Sequence, residues 1–150
     1  MAGGLLGRRR ALTIEGQLDA LGQPSTDVRT GEAVTFRIHY SAEESIPDPT
    51  FAVAVHTLEG VLVTSPTTRE AGLTCDRIDG RGVVDLAVDP LLLLPGTYDL
   101  SASVSDAAAL HVYDTRHRAV RFDVEPGRPH ETHGGVVSLA GRWHLRSSEG

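Results

Sequence analysis

The chain has 150 residues, enough for one domain with a buried core and too few for two. A net charge of -6 at pH 7 leaves no broad basic face for nucleic acid or an anionic membrane, and the short Arg8-Arg9-Arg10 cluster does not reverse it. All 14 basic residues are arginine, which excludes chemistry built on a P-loop lysine, a lysine Schiff base or a Ser-Lys dyad.

In chain order, residues 1–10 read as a linker or disordered tail, with too short an apolar stretch before the arginines to be a secretory signal. Leu12, Ile14, Leu18 and Leu21, interrupted at Gly16, predict an edge strand with a bulge. Val34, Phe36, Ile38 and Tyr40 alternate with Thr35, Arg37 and His39, which predicts a strand with one wet face that Pro47 and Pro49 bring to an end. Phe51, Val53 and Val55 alternate next, and the Glu59-Gly60 reversal returns Val61-Leu62-Val63 as a hairpin partner. Residues 64–82 read as a long polar connection containing the lone Cys75, which cannot form an intramolecular disulfide and has no neighbouring base.

Val83 to Val88 is the next strand. The run Leu91-Leu92-Leu93-Leu94 leads to Pro95-Gly96, where proline presets one turn dihedral and glycine supplies the positive φ of a type II turn. Tyr98, Leu100, Ala102 and Val104 then fall on one side of a strand, with Asp99, Ser101, Ser103 and Ser105 on the other. Ala107 to Leu110 hints at a helical turn, and Val120, Phe122 and Val124 mark a further strand over 119–124. After a Gly/Pro/His connection over 126–135, Val136, Val137 and Leu139 predict a short last strand before Trp143; residues 146–150 read as a tail. About seven to eight short strands with no amphipathic helix imply two sheets packed face to face, an all-β antiparallel sandwich of immunoglobulin-like or jelly-roll type over 11–145.

Taken together, Gly31 to Tyr40, Ile46-Pro47-Asp48-Pro49-Thr50-Phe51, the Glu59-Gly60 hairpin, Leu94-Pro95-Gly96-Thr97-Tyr98 leading to Asp106, Phe122-Asp123-Val124 and Gly134-Gly135-Val136-Val137 to Trp143 carry a resemblance. In order and spacing they resemble the C-terminal carbohydrate-binding domain of the ATP-binding subunit of ABC exporters of O-antigen and related polysaccharides. Two positions depart from that pattern. Ala52 stands where relatives commonly have glycine, and Ser65-Pro66-Thr67 where they have an Asn-Thr pair; a Walker A sequence is also absent. The resemblance implies a non-catalytic module that binds an O-antigen-like glycan. Its place would be cytoplasmic, peripheral to the inner membrane through the transporter's ATPase and membrane subunits, with no nucleic acid and no membrane insertion. It also implies a homodimer formed through the C-terminal strand, here Val136, Val137 and Leu139; Trp143, a large apolar ring after a short strand, reads as that strand's anchor rather than a stacking platform.

A sugar site needs convergent hydrogen-bonding groups on a rigid sheet and an aromatic face beneath the ring. Arg37, His39 and His56 are the long or ring-bearing donors on strands, and Tyr113, read as lying in a loop, is the candidate aromatic. No cofactor is expected. His130-x-x-His133 lacks a third ligand at fixed spacing, so no metal site is assigned. Asp106, Asp114 and His117 make an acid/base set only on paper, since nothing places a nucleophile beside a base. Two other readings are an immunoglobulin-like protein-interaction domain without sugar binding and a small sandwich enzyme. The polar outward faces Thr35-Arg37-His39 and Asp99-Ser101-Ser103 weigh against the former, and the lack of a flanking carboxylate pair against the latter.

Overall fold

The structure, a computed structural model, describes residues 11–148. Among the described residues nine strands run in chain order: β1 (Leu12–Ala20), β2 (Gln23–Pro24), β3 (Asp27–Arg29), β4 (Val34–Pro47), β5 (Thr50–Thr57), β6 (Leu62–Thr64), β7 (Arg77–Val88), β8 (Gly96–Ser105) and β9 (Val112–Glu125). They form a four-stranded sheet ordered β2-β1-β4-β7 and a five-stranded sheet ordered β3-β9-β8-β5-β6. The fold is the expected β-sandwich. Every strand pair is antiparallel except β3 with β9, which run parallel.

The alternation in β4, β5, β8 and the second half of β9 turns Phe36, Ile38, Phe51, Val53, Val55, Leu100, Val104, Phe122 and Val124 into a common core. Two ring pairs tie the layers together: Phe36 to Phe122 with centroids 6.2 Å apart, and Tyr40 to Phe51 at 5.8 Å. Such tilted arrangements bury large apolar area while keeping ring edges against ring faces. The leucine run crosses one end of the sandwich with Leu91, Leu93 and Leu94 buried. The Tyr98 hydroxyl, buried below, donates to the Leu94 carbonyl at 2.6 Å, and burial pushes its phenol pKa up.

Several expectations change. The β1–β4 register is unbroken through Gly16, so there is no bulge there. Glycine is needed for another reason: a Cβ at Gly16 would lie 2.9 Å from that of Ala119 on β9. The bulge lies in β4 instead, between Ala42 and Ile46. β7 begins at Arg77, inside the stretch read as a connection, and pairs with β4 from Pro47↔Arg77 onward; Gly82 makes room for the Tyr40 ring, since an added Cβ would sit 2.3 Å from the Tyr40 hydroxyl. Gly96 does not take a positive φ and is already the first residue of β8, paired with Val124. Residues 107–110 form a hairpin turn rather than a helical one, capped by the Leu110 amide donating to Asp106 Oδ1 at 2.9 Å. β9 accordingly starts at Val112 rather than 119, and Tyr113 belongs to a strand, not a loop.

The C-terminal segment is not a regular strand. It lies beside the irregular leucine run, which offers one bridge, Leu93 to Val137, supported by Leu94 N–H to Val136 O at 2.9 Å and Ser138 N–H to Leu92 O at 2.8 Å. Ser138 is buried by this contact, whereas Val137, Leu139 and Trp143 are exposed.

Candidate functional site

The two outward sheet faces carry different chemistry. On the four-stranded sheet, Arg37 of β4 lies between Gln17 of β1 and Asp85 of β7. Its Nε and Nη2 donate to the two Asp85 carboxylate oxygens at 2.8 and 3.0 Å, and Nη1 lies 3.1 Å from Asp19 Oδ2. Gln17 then links Asp19, at 2.6 Å, to the His39 ring, at 2.9 Å. All three guanidinium nitrogens of Arg37 and one ring nitrogen of His39 are thus engaged within the face. The Arg37 hydrogen bonds hold the Asp85 carboxyl below its ordinary range against the opposing effect of burial. The arrangement laces β1, β4 and β7 together, and an arginine chelated on both sides has little left to offer a ligand.

The five-stranded sheet presents a groove. Along β5 and β8 the outward residues are Ala54 and His56, paired with Ser101 and Asp99. Small side chains at Ala52, Ala54, Ser101 and Ser103 keep the floor low, and a cleft of about 270 Å³ lies over them, walled by Val112, Thr115 and His117 of β9. A second cleft of about 190 Å³ continues it toward Thr57, Gly60, Asp99 and Arg118. His56, Ser101 and His117 border both.

The β9 wall exists because that strand is interrupted. Between Leu100 and Ala102 of β8, β9 advances from Val120 to Arg116, and the extra residues bulge outward. Arg118 at the bulge takes a φ of 51°, in the left-handed region, and its N–H donates to Ser101 Oγ at 3.0 Å. A bulge in a strand commonly re-aims side chains in this way, and a non-glycine residue in the left-handed region is held there only by surrounding contacts.

Asp99 is the electrostatic centre of the groove. Period-two parity puts it outward, yet its side chain is only 3% exposed, because Arg121 folds over it with Nε on Oδ1 at 2.8 Å and Nη2 on Oδ2 at 3.1 Å. Arg118 Nε approaches to 3.6 Å. The Arg121 hydrogen bonds draw the carboxyl below its ordinary range against the cost of burial, and the charges of Arg121, Arg118 and His56 add to them. A carboxylate whose native pKa is depressed binds fewer protons than the unfolded chain, at about 3.9. Its stabilisation is therefore complete above that value and lost as pH falls through the lower native one. Thermal melts from pH 7 to 2 should show Asp99→Asn less stable than wild type at neutral pH, with the gap closing at the acid end. A gap constant across that range would remove Asp99 from the acid response.

The predicted site residues therefore do not converge. Arg37 and His39 lie on one sheet and His56 on the other. Tyr113 is half-buried against the core and meets His111 edge-on at 4.8 Å. The acid/base set is likewise dispersed: Asp106 caps its hairpin, Asp114 points inward to the Ile14 N–H at 2.9 Å, and His117 borders the groove. Asp99, Ser101, Arg118 and Arg121 carry no motif in the sequence; only the cross-strand register brings them together. Among the described residues no group of three or more metal-capable side chains is gathered, and no helix is long and apolar enough to cross a membrane.

The family model for the Wzt C-terminal domain matches residues 15–139. The crystal structure of the C-terminal domain of wzt overlays with a TM-score of 0.78 at 16% identity, covering 92% of this chain and 86% of that one. The CARDB domain of the PF1109 protein from Pyrococcus furiosus, solved in complex with di-metal ions, is more distant, with a TM-score of 0.45 at 14% identity over 76% of this chain and 89% of that one. No curated protein matches the sequence. With residues 15–139 matched by the family model and the fold overlaying the solved domain across 92% of its length, the chain belongs to the Wzt C-terminal domain family.

Proposed function

We propose that the domain binds polysaccharide, of the O-antigen type, on the outer face of the five-stranded sheet, and does so without cleaving it. Membership of the Wzt C-terminal domain family supports an ABC exporter as the partner, and it agrees with a module that binds rather than cleaves. The observation that carries the reading is the groove over Ala54, Ser101 and Ser103, bordered by His56 and His117. Small floor residues admit a sugar ring close to the sheet, and hydroxyl and ring nitrogens at its border suit a ligand made of hydroxyls. Each such hydrogen bond adds about 0.5–1.5 kcal/mol net, so several are needed for useful affinity.

Calorimetric titration of the domain with polysaccharide fragments selected on a glycan array tests it. The paired substitution His56→Ala with His117→Ala should weaken binding by about one to two orders of magnitude, the loss of two to three hydrogen bonds. Unchanged affinity would move the site off this face.

The homodimer belongs to the same proposal. Trp143 is fully exposed, with Leu139 91% and Val137 51% exposed, on a segment joined to the body by the loop 126–135. An apolar cleft of about 490 Å³, lined among others by Val55, Leu62, Leu86 and Val88, lies open beside it. A second copy that docks its terminal segment there would cover both surfaces. Sedimentation of the chain truncated after Gly135 should show a monomer or an aggregate; a truncated form that sediments as the full chain does would defeat the dimer.

A further inference from the structure

Resting on the glycan site just described, we infer that the sugar taken by the groove is acidic, with its carboxylate or phosphate held by Arg118. The chain is acidic overall, at -6, yet the groove reverses that sign. Two guanidinium groups, Arg118 and Arg121, stand over one carboxylate, Asp99. Asp123, the next outward acid on β9, is turned to the Thr97 hydroxyl at 2.6 Å at the strand's far end. Arg116 reaches away from the groove to the Ile14 carbonyl at 2.8 Å. One positive charge is therefore left over beside the cleft.

The two arginines are not equivalent. Arg121 spends its Nε and one terminal nitrogen on Asp99 in a two-point pair, which satisfies that carboxylate on both oxygens. Arg118 approaches Asp99 only at 3.6 Å, beyond hydrogen-bonding distance, and its side chain is 70% exposed. Among the described residues its guanidinium makes no side-chain hydrogen bond. A residue needed only to neutralise Asp99 would close on it as Arg121 does. Instead Arg118 is held in a left-handed backbone conformation at the bulge, its backbone N–H pinned to Ser101 on the groove floor, and it is among the residues lining the cleft that His56 and His117 share. A planar fork with unused donors beside a low floor matches the geometry of a uronic carboxylate or a sugar phosphate.

The experiment uses the purified chain on a glycan array bearing uronic-acid fragments, phosphorylated sugars and neutral oligosaccharides, with each uronic-acid fragment printed beside its methyl ester. The esterified partner keeps the ring and loses the charge. Wild type should bind an acidic fragment about tenfold or more tightly than its neutral counterpart, a preference that shrinks several-fold as sodium chloride rises from roughly 50 to 500 mM. Arg118→Gln should erase the preference while its melting temperature stays near wild type. The salt series and ester comparison on wild type read the same charge without any variant. Equal binding of acid and ester, or an Arg118→Gln chain that keeps the preference, overturns the inference. Tight binding of neutral glycans only, abolished by blocking the groove, leaves the glycan module standing without its charge preference. No glycan binding of any kind removes both.

Discussion

Replacing Asp114 by alanine should lower the stability of the domain by about 2–4 kcal/mol, the cost of stranding a buried backbone donor together with part of an ion pair. The carboxylate is fully buried; among its contacts, it accepts the Ile14 N–H at 2.9 Å, accepts its own neighbour's Thr115 N–H at 2.9 Å, and lies 3.4 Å from Arg116 Nε. Arg116 in turn donates to the Ile14 carbonyl at 2.8 Å. Ile14 therefore has both backbone polar groups satisfied from β9 of the opposite sheet. β1 needs this because, among the described residues, β2 pairs only with Asp19 and Ala20 and the Ser25 N–H reaches Leu18 O, leaving the earlier part of that edge without a ladder partner. Two side chains thus stand in for a missing strand and close one side of the sandwich. A domain of this length loses about 2–4 °C of melting temperature per kcal/mol, so a fall of about 5–15 °C is expected for Asp114→Ala. Asp114→Asn, which keeps an acceptor for Ile14, should lose less. Calorimetry decides it, and an alanine variant melting within a degree or two of wild type would mean that water satisfies Ile14 instead.

That closure also marks where the sequence stops being legible. Hydrophobic alternation is a local property, and it locates β4, β5, β8 and the second half of β9 because each buries one face along its own length. It cannot say which sheet a strand joins. Arg37, His39 and His56 are correctly placed outward, but β4 pairs with β1 and β7 while β5 pairs with β8, so they point in opposite directions. Parity also fails at Asp99, which faces outward and is nevertheless buried, since a long arginine from the neighbouring strand can cover a position that no core touches. Asp114 escapes for the converse reason: it faces inward in an apolar pattern that its own strand breaks with a bulge. The family resemblance rested on order and spacing of turns and strands, features that survive at 16% identity to the solved domain. The groove depends on small residues and on register, which leave no comparable trace.

Ala54→Trp should abolish glycan binding, by about a hundredfold or more, with the fold intact. Ala54 is half-buried on the outward side of β5, opposite Ser101, and forms part of the groove floor. An indole there would occupy the volume a sugar ring requires, and an aromatic residue on a half-exposed strand position is tolerated by the sheet. A loss of a hundredfold corresponds to about 2.7 kcal/mol, more than one neutral hydrogen bond supplies, so steric exclusion and loss of one such contact are distinguishable by size. The paired control is Arg37→Ala with His39→Ala on the opposite sheet, whose side chains are engaged with Asp85, Asp19 and Gln17. That variant should bind glycan as wild type does, and any change should appear in its melting temperature, since the lacing across β1, β4 and β7 is lost. Titration of both variants with the same fragment separates the two faces. If Ala54→Trp binds normally and the double variant does not, the sugar sits on the four-stranded sheet, and the groove over Ser101 has some other occupant.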